Sequence, residues 1–172
     1  MALASPRWLL PVLLLASARV AADPLPVAPP GASAACPADG PAVAVATRDR
    51  VLRLCEMGRT VAEFRIALGH GGVDKRRKGD ARTPLGVYSL GEPRSSRRFG
   101  TFIPIGYPTA AQAAGGYTGG DVGIHGPHRL TAGTWLAVRF DWTEGCIATG
   151  SDEDLARIVA FVQQRSPAVV IY

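Results

Sequence analysis

The stretch DWTEGCIA, residues 141–148, places a cysteine directly after a glycine, a pair of residue types suited to nucleophilic chemistry. A cysteine attacks as the thiolate, and at its ordinary pKa of about 8.5 it needs a base nearby at neutral pH. His125 lies between glycines in GIHG, where a flexible backbone can bring the imidazole to a groove. Gly145 lets the main chain approach a substrate carbonyl, so the amides of Gly145 and Cys146 can stabilise an oxyanion. These residues predict a Cys146 nucleophile with His125 as its base.

Both residues also have simpler interpretations. A free cysteine is among the most buried residue types, so Cys146 can be an inert core residue, and His125 can be a hydrogen-bonded structural histidine. His128 follows three residues after His125, and with Cys146 these histidines form only a weak, irregularly spaced zinc pattern. We therefore expect no metal. His70, in GHGG, is interpreted as a loop residue.

The three cysteines, Cys36, Cys55 and Cys146, are an odd number, so one is left over or pairs between chains. Cys36 and Cys55 enclose a short segment with a turn inside it. This spacing favours a Cys36–Cys55 disulfide and a free Cys146. Spacing alone leaves the other two pairings open.

Residues 1–22 have the features of a secretory signal peptide. Arg7 supplies a positive start, and the apolar run 8–18 is shorter than the ~20 residues that a spanning helix needs. Small residues precede Asp23, which places cleavage near Ala22. The alternative is an uncleaved membrane anchor. The signal predicts an exported protein of the periplasm or cell envelope, a compartment where disulfides persist.

The rest of the chain is expected to form a linker and one domain. Residues 23–40 are rich in Pro, Ala and Gly, which indicates a linker, and residues 41–172 are enough for a single domain. The formal net charge is +5, and removal of residues 1–22, with two arginines and no acid, leaves +3. Such a charge suits an anionic envelope polymer. The basic runs lack the interleaved aromatics of a stacking surface, so we expect no nucleic acid partner.

The hydrophobic pattern predicts a mainly β domain of seven or eight short strands. Alternating apolar runs split by turns, from AVAVAT to GRTVAEFRIALG, predict a β-meander, and TWLAVRF (134–140) and AVVIY predict further strands. The segment TAAQAA is at most a short helical turn. The one convincing helix covers about 151–165, where Ser151 can cap and Leu155, Ile158, Val159 and Val162 share one face.

Three motifs in this order resemble the L,D-transpeptidase catalytic domain family, the YkuD-type enzymes that cross-link peptidoglycan outside the cytoplasm. They are KGDARTPLGVY (78–88), IHG (124–126) and DWTEGCIA. The resemblance covers about residues 41–172, and the 17 residues from Gly126 to Trp142 form a spacer at the upper end of the family's range. It implies a β-sandwich of mixed sheets with one helix near the C-terminus.

The resemblance also implies roles for single residues. Cys146 is the expected nucleophile and His125 the expected base, with Gly145 and Cys146 amides in the oxyanion hole and the Gly126 carbonyl orienting the imidazole. Three further residues are expected to contact substrate: Tyr107, Thr143 and His128. Tyr117 is the alternative to Tyr107 as the tyrosine near the donor site.

Two positions depart from the family pattern. Glu144 stands where the family has a second histidine, and Ala148 stands where it often has Asn or Arg. A carboxylate that pointed at the thiolate would raise the pKa of Cys146. We therefore expect Glu144 to point away or to pair with an arginine such as Arg129 or Arg139.

The function that the resemblance implies is an exported cysteine L,D-transpeptidase. It would act on peptidoglycan stem peptides through a Cys146 thioester, for cell wall cross-linking or remodelling, as a monomer and without a cofactor. Two alternatives stay open: an L,D-carboxypeptidase or other secreted cysteine peptidase, and a catalytically silent wall-binding module.

Overall fold

The computed structural model describes residues 36–172. The predicted signal peptide, residues 1–22, and most of the predicted linker, residues 23–40, lie outside the described residues, and both stay predictions. Within residues 36–172 the helices are too short or too polar to cross a membrane.

Nine strands form one continuous mixed sheet with the order β4-β9-β1-β2-β3-β8-β7-β6-β5. Their bounds are β1 Ala42–Ala46, β2 Val51–Glu56, β3 Arg59–Ala67, β4 Gly86–Ser89, β5 Arg94–Ser96, β6 Gly100–Pro104, β7 Gly123–His125, β8 Ile147–Thr149 and β9 Ala168–Ile171. Two α-helices, α1 Ala110–Ala114 and α2 Asp152–Arg165, and a 3₁₀ helix, Trp135–Val138, complete the domain. The prediction of a mainly β domain with mixed strands is confirmed.

The long strand β3 joins the two halves of the sheet. Its antiparallel pairing with β2, through Val51↔Arg65 and its neighbours, completes the predicted meander. Its last residues pair with β8, through Ala67↔Ala148. Side chains from both halves and from α2 share one hydrophobic core. Because β3 spans both halves, its C-terminal end is held at the centre of the domain.

Helix α2 confirms the predicted helix at about 151–165. The Ser151 hydroxyl accepts a hydrogen bond from Asp154 N, which caps the first turn, and acidic residues in that turn complement the helix dipole. The apolar face packs into the core through Leu155, Ile158, Phe161 and Val162. The helix therefore covers the sheet beside β8, the strand that follows Cys146.

The predicted strand over 134–140 is wrong. The segment contains a 3₁₀ helix, Trp135–Val138, because local turn bonds satisfy its backbone: Thr134 N donates to Thr131 O, and Ala137 N donates to Thr134 O. The alternating pattern does not mark a buried face either, since Trp135 and Phe140 are exposed.

Cys36 and Cys55 form a disulfide, which confirms that predicted pairing. The bond ties the chain before β1 to the buried strand β2, and it leaves Cys146 as the free cysteine. Both half-cystines are buried in a small cluster with Ala42 and Ala44 of β1.

We expect the disulfide to stabilise the domain by closing a loop of 19 residues in sequence. The double variant Cys36→Ala/Cys55→Ala should lose about 3 kcal/mol of unfolding free energy, as expected for a loop of this size. Urea unfolding monitored by circular dichroism measures the loss, with Cys146→Ala as the single-cysteine control. A double variant as stable as the native protein would contradict the expectation.

Candidate active site

His125 ends strand β7 and is fully buried. Its strand pairs on one side with Phe102 of β6 and on the other with Ala148 of β8, so the sheet fixes the backbone on both sides. The ring Nδ1 lies 2.7 Å from Gly126 O. Because a carbonyl only accepts hydrogen bonds, Nδ1 carries the proton and Nε2 carries the lone pair. This contact holds the ring in one orientation, and the role of Gly126 in catalysis stays a prediction.

The electrostatic environment keeps the imidazole neutral. Burial lowers the pKa of His125 to about 4, the Gly126 carbonyl opposes this shift, and the positive charge of Arg98 adds to it. Nε2 is buried and has no hydrogen-bond partner among the residues that the structure describes. A neutral imidazole with an unused lone pair can accept a proton at neutral pH.

Aromatic rings hold the His125 imidazole in place. Phe99 stacks on it with ring centroids 3.7 Å apart, and Trp142 contacts it edge-on at 5.7 Å. The Trp142 indole donates a hydrogen bond to Ala137 O in the 3₁₀ helix. The segment 134–140, which had been predicted as a strand, thus helps to position the Trp142 ring beside His125.

The turn before Cys146 is built by Thr143 and Gly145. The Thr143 hydroxyl donates to Cys146 O at 2.7 Å and accepts from Gly145 N at 3.2 Å. Gly145 has φ +121°, and a Cβ there would lie 2.5 Å from Arg82 O. Only glycine fits, because a larger residue would have both a strained backbone and a clash.

The Cys146 side chain is partly buried, and its Sγ lies 3.5 Å from Asp121 O. Burial raises the pKa of Cys146. The Gly123 amide and the positive charges of Lys75 and Arg98 oppose this shift, and Asp121 adds to it. At rest, therefore, a thiol and a neutral imidazole line the same cavity, and the thiol points at Asp121 O.

An ion pair anchors the segment that carries Cys146. The Asp141 carboxylate accepts from Arg50 Nε at 3.0 Å and from the Arg50 terminal nitrogen at 2.7 Å. It also accepts from Leu68 N at 3.0 Å. Backbone bonds from Thr143 N to Leu68 O and from His70 N to Thr143 O continue the attachment. Asp141 therefore joins the β1–β2 turn and the end of β3 to the cysteine turn.

Two cavities meet at Cys146. The smaller, of about 320 Å³, contains His125, Phe99, Trp142, Arg94 and Arg98. The larger, of about 630 Å³, is lined by the 75–79 and 119–122 loops. Three residues belong to both: Asp121, Glu144 and Cys146. A peptide could therefore extend to either side of the thiol.

The residues expected to contact substrate have different positions. Thr143 lines the smaller cavity and shapes the turn. His128 is exposed beside Trp142, in a separate depression with Arg97 and Arg129. Tyr107 is 5% exposed and lines neither cavity at Cys146; its hydroxyl donates to Lys75 O, and burial raises its pKa to about 12. Tyr107 thus supports the wall of the larger cavity through its hydrogen bond to Lys75, which lines that cavity.

Glu144 does not pair with either arginine that we named. Its carboxylate lies 3.5 Å from His70 Nε2, and both side chains are more than half exposed. Arg129 donates to Arg97 O, and Arg139 lies over the Trp135 and Phe140 rings. Glu144 therefore faces solvent and His70 at the rim, in keeping with the expectation that it points away.

Several residues that shape the site had no motif of their own in the sequence. Asp80 organises the 75–82 loop: burial opposes its ionisation, but the amides of Arg77, Arg76 and Arg82 and the Lys75 ammonium hold its pKa well below the usual range. Asp80 lies inside KGDARTPLGVY, so the motif marked the loop but not its internal bonds.

No group of three or more potential ligands in residues 36–172 could hold a metal ion.

A free thiol and a buried neutral imidazole in one cavity are typical of a cysteine acyl-transfer site. The chain matches the family model of the YkuD L,D-transpeptidase catalytic domain over residues 40–171. It therefore belongs to the L,D-transpeptidase catalytic domain family, and the resemblance inferred from the motifs is confirmed. The comparison with curated proteins gave no match.

Solved structures support the same fold. The helical cell shape determining protein Pgp2 from Campylobacter jejuni is 28–29% identical in two structures, with a TM-score of 0.65. Bd1075 from Bdellovibrio bacteriovorus is 18% identical with a TM-score of 0.57, and an L,D-transpeptidase from Enterococcus faecium is 16% identical with a TM-score of 0.50. These matches cover 77–78% of this chain but only 46–50% of the other chains. This chain thus spans about half the length of those proteins.

We expect the Arg50–Asp141 pair to matter more than a surface ion pair of the same kind. Asp141→Asn removes the charge that Arg50 faces while keeping the shape. It should cost about 1 kcal/mol of unfolding free energy and speed amide exchange at Leu68 and His70. The control is Glu63→Gln, which breaks the exposed Arg53–Glu63 pair on the sheet and should cost no more than about 0.5 kcal/mol. Equal effects of the two variants would contradict a special role for Asp141.

The buried His125 should make stability depend on pH. Its folded pKa lies below the ordinary value, so between about pH 6.5 and 4 the unfolded chain binds a proton that the folded chain excludes. The contribution of His125 to the free energy of unfolding is fully present above pH 6.5. It decreases as the pH drops towards 4, by at most roughly 3 kcal/mol. Urea unfolding of the native protein and of His125→Gln at pH 7 and 4.5 measures it. The native protein should lose more stability than the variant; parallel losses would exclude a depressed pKa.

Proposed function

We propose that this chain is an exported cysteine L,D-transpeptidase that acts on peptidoglycan stem peptides. Cys146 is the nucleophile and His125 the general base. The observation that carries the proposal is the His125 imidazole, whose Nδ1–H is held by Gly126 O and whose Nε2 has no partner in the part of the chain described. His125 and the free Cys146 line the same cavity.

Acylation starts from the neutral pair. The Cys146 thiol transfers its proton to His125 Nε2 as the sulfur attacks the scissile carbonyl carbon, and an S–C bond forms. The tetrahedral intermediate then collapses, the C–N bond breaks, and His125 returns the proton to the leaving amine. The products are a Cys146 thioester and a free amino acid. A base positioned in this way contributes about 10²–10⁴ in rate.

Deacylation uses the same groups in reverse. An amine of a second stem attacks the thioester carbonyl, His125 accepts the amine's proton, the S–C bond breaks, and the thiol recovers the proton. The result is a cross-link. Attack by water gives hydrolysis instead, the peptidase side activity that we also assign to this site. Neither route needs a cofactor, because the thiol, the imidazole and backbone donors supply the chemistry.

The oxyanion of the tetrahedral intermediate needs amide donors near the sulfur. The Gly145 N–H already donates to Thr143 Oγ1 at 3.2 Å. We assign the main donation to the Cys146 N–H, with Gly145 supplying the close approach of backbone that its φ of +121° permits. Thr143 acts as a positioning residue, because its hydroxyl holds the ends of this turn together.

The substrate class follows from the family and its neighbours. The family model describes an L,D-transpeptidase domain, and Pgp2 is described as a helical cell shape determining protein. Both point to peptidoglycan, where the scissile bond would join an L-centre of diaminopimelate to a terminal D-Ala. Two cavities meeting at Cys146 suit a reaction with one peptide group on each side of the bond. The Cys36–Cys55 disulfide favours an oxidising compartment such as the periplasm.

The position of Glu144 argues against a silent wall-binding module. An inward carboxylate would oppose thiolate formation. Glu144 is 74% exposed and lies against His70 instead, which supports a reactive Cys146 despite the departure from the family pattern.

A carbapenem should acylate Cys146, because the strained β-lactam carbonyl can replace the peptide carbonyl. Intact mass spectrometry should show one adduct on the native protein and none on Cys146→Ala. His125→Gln should form the adduct about 10²-fold or more slowly at pH 7. A native protein without an adduct, or an adduct that persists in Cys146→Ala, would overturn the proposed function. His128→Gln is the matched histidine control and should react at the native rate if His125 is the base.

A further inference from the structure

Two arginines line the cavity of His125 and Cys146 and have no part in the chemistry described so far. Arg94 lies on β5 and Arg98 in the turn that leads from β5 to β6. The sheet register pairs Arg94 with Phe102, and Phe102 with His125. Because directly paired residues project to the same face, Arg94, Phe102 and His125 form a row across three strands. The spacing of neighbouring strands puts the Cα atoms of Arg94 and His125 about 10 Å apart.

Both guanidinium groups are held by aromatic rings. Arg98 lies over the Phe99 ring at 5.1 Å, and Arg94 lies over the Phe102 ring at 4.9 Å. Both rings are nearly parallel to the His125 imidazole, with interplanar angles of 17° and 14°. A cation–π contact uses the face of the guanidinium and leaves the N–H groups at its edge available. The arginines are thus oriented without using their donors.

Neither arginine has a carboxylate partner within residues 36–172. Other cations near the thiol are less available, since Lys75 is buried and bound to Asp80 at 2.6 Å. Arg98 also acts electrostatically on both His125 and Cys146, so its charge reaches the reacting atoms. The smaller cavity therefore presents unpaired, bidentate donors beside the imidazole.

We infer that Arg98, assisted by Arg94, binds the terminal carboxylate of the amino acid that leaves. This inference rests on the proposed function and deepens it. His125 must deliver a proton to the leaving amine, so the leaving residue lies in the cavity of His125. Its carboxylate is one carbon from that amine and falls on the arginine side, where a guanidinium can bind it through two parallel hydrogen bonds.

The acidic residues of the site favour the same orientation. Asp121 and Glu144 stand where the two cavities meet, next to Cys146. Asp121 repels a carboxylate from that junction and directs it towards Arg94 and Arg98, while Glu144 faces His70 at the rim. The enzyme would then select stems that end one residue after the scissile bond, because a longer stem has a neutral amide at this position.

The test compares two substrates that differ only at this group. One is a tetrapeptide stem with a free terminal carboxylate, and the other is the same peptide as its terminal amide. Mass spectrometry of the products gives kcat/KM for each. Arg98 also affects the pKa values of His125 and Cys146, so its removal changes both rates. The ratio of the two rates cancels that shared effect and reports on carboxylate recognition alone.

The native enzyme should prefer the acid by about tenfold to 100-fold, the range for a charge-assisted hydrogen bond. Arg98→Gln should bring the ratio to within about threefold of one, and Arg94→Gln should reduce it by a smaller factor. Arg98→Lys keeps the charge but not the two-pronged geometry, and it should give an intermediate ratio. Arg139→Gln is the control: this arginine lies over the Trp135 and Phe140 rings, outside both cavities at Cys146, and its loss should keep the native ratio.

The outcomes separate the two proposals. A native enzyme that turns over both peptides equally, or an Arg94→Gln/Arg98→Gln variant that keeps the native preference, overturns the carboxylate subsite and leaves the proposed function standing. A native enzyme that turns over neither peptide, and forms no carbapenem adduct, overturns the proposed function and the subsite with it. Loss of preference in Arg139→Gln as well would show a general charge effect and would also reject the assigned subsite.

Discussion

The hydrogen bond between His125 Nδ1 and Gly126 O, at 2.7 Å in a buried environment, is the constraint on which the site depends. It selects the tautomer that leaves Nε2 as an acceptor, and burial keeps the ring neutral by lowering its pKa to about 4. The bond is local, between adjacent residues, so it needs no third acidic side chain. It needs a backbone whose direction cannot change. The sheet supplies that rigidity, because β7 is paired on both sides at His125.

The cysteine turn depends on the same sheet through longer-range contacts. Its backbone is bonded to the end of β3, and Asp141 bonds both Leu68 N and Arg50. Since β3 also pairs with β8, the strand after the cysteine, the turn is fixed at both ends. The loop around Asp80 is held by the Tyr107 hydroxyl, which donates to Lys75 O. Histidine and cysteine are thus placed by separate elements that share one central strand.

The sequence indicated the candidate reacting residues more fully than the contacts that hold them in place. The meander, the helix after Ser151 and the disulfide could be predicted, because periodicity, capping and cysteine spacing are local signals. The strand over 134–140 was wrong, since alternation of apolar residues does not report whether the backbone bonds locally in turns, as it does in the 3₁₀ helix here. The Arg50–Asp141 pair joins residues 91 apart, which no local pattern can show. Glu144 could be predicted to avoid the thiol, but not to lie against His70.

The charges around the reacting pair suggest why the arginines are there. Burial raises the pKa of Cys146 and lowers that of His125, so one cause disfavours both members of a thiolate–imidazolium pair. Arg98 lowers both pKa values. It helps the thiol to lose its proton and hinders the imidazole from gaining one, so its effects on the transfer oppose each other. Because these two effects oppose each other, the proton transfer alone does not account for a cation at this place, whereas a carboxylate that arrives with the substrate does.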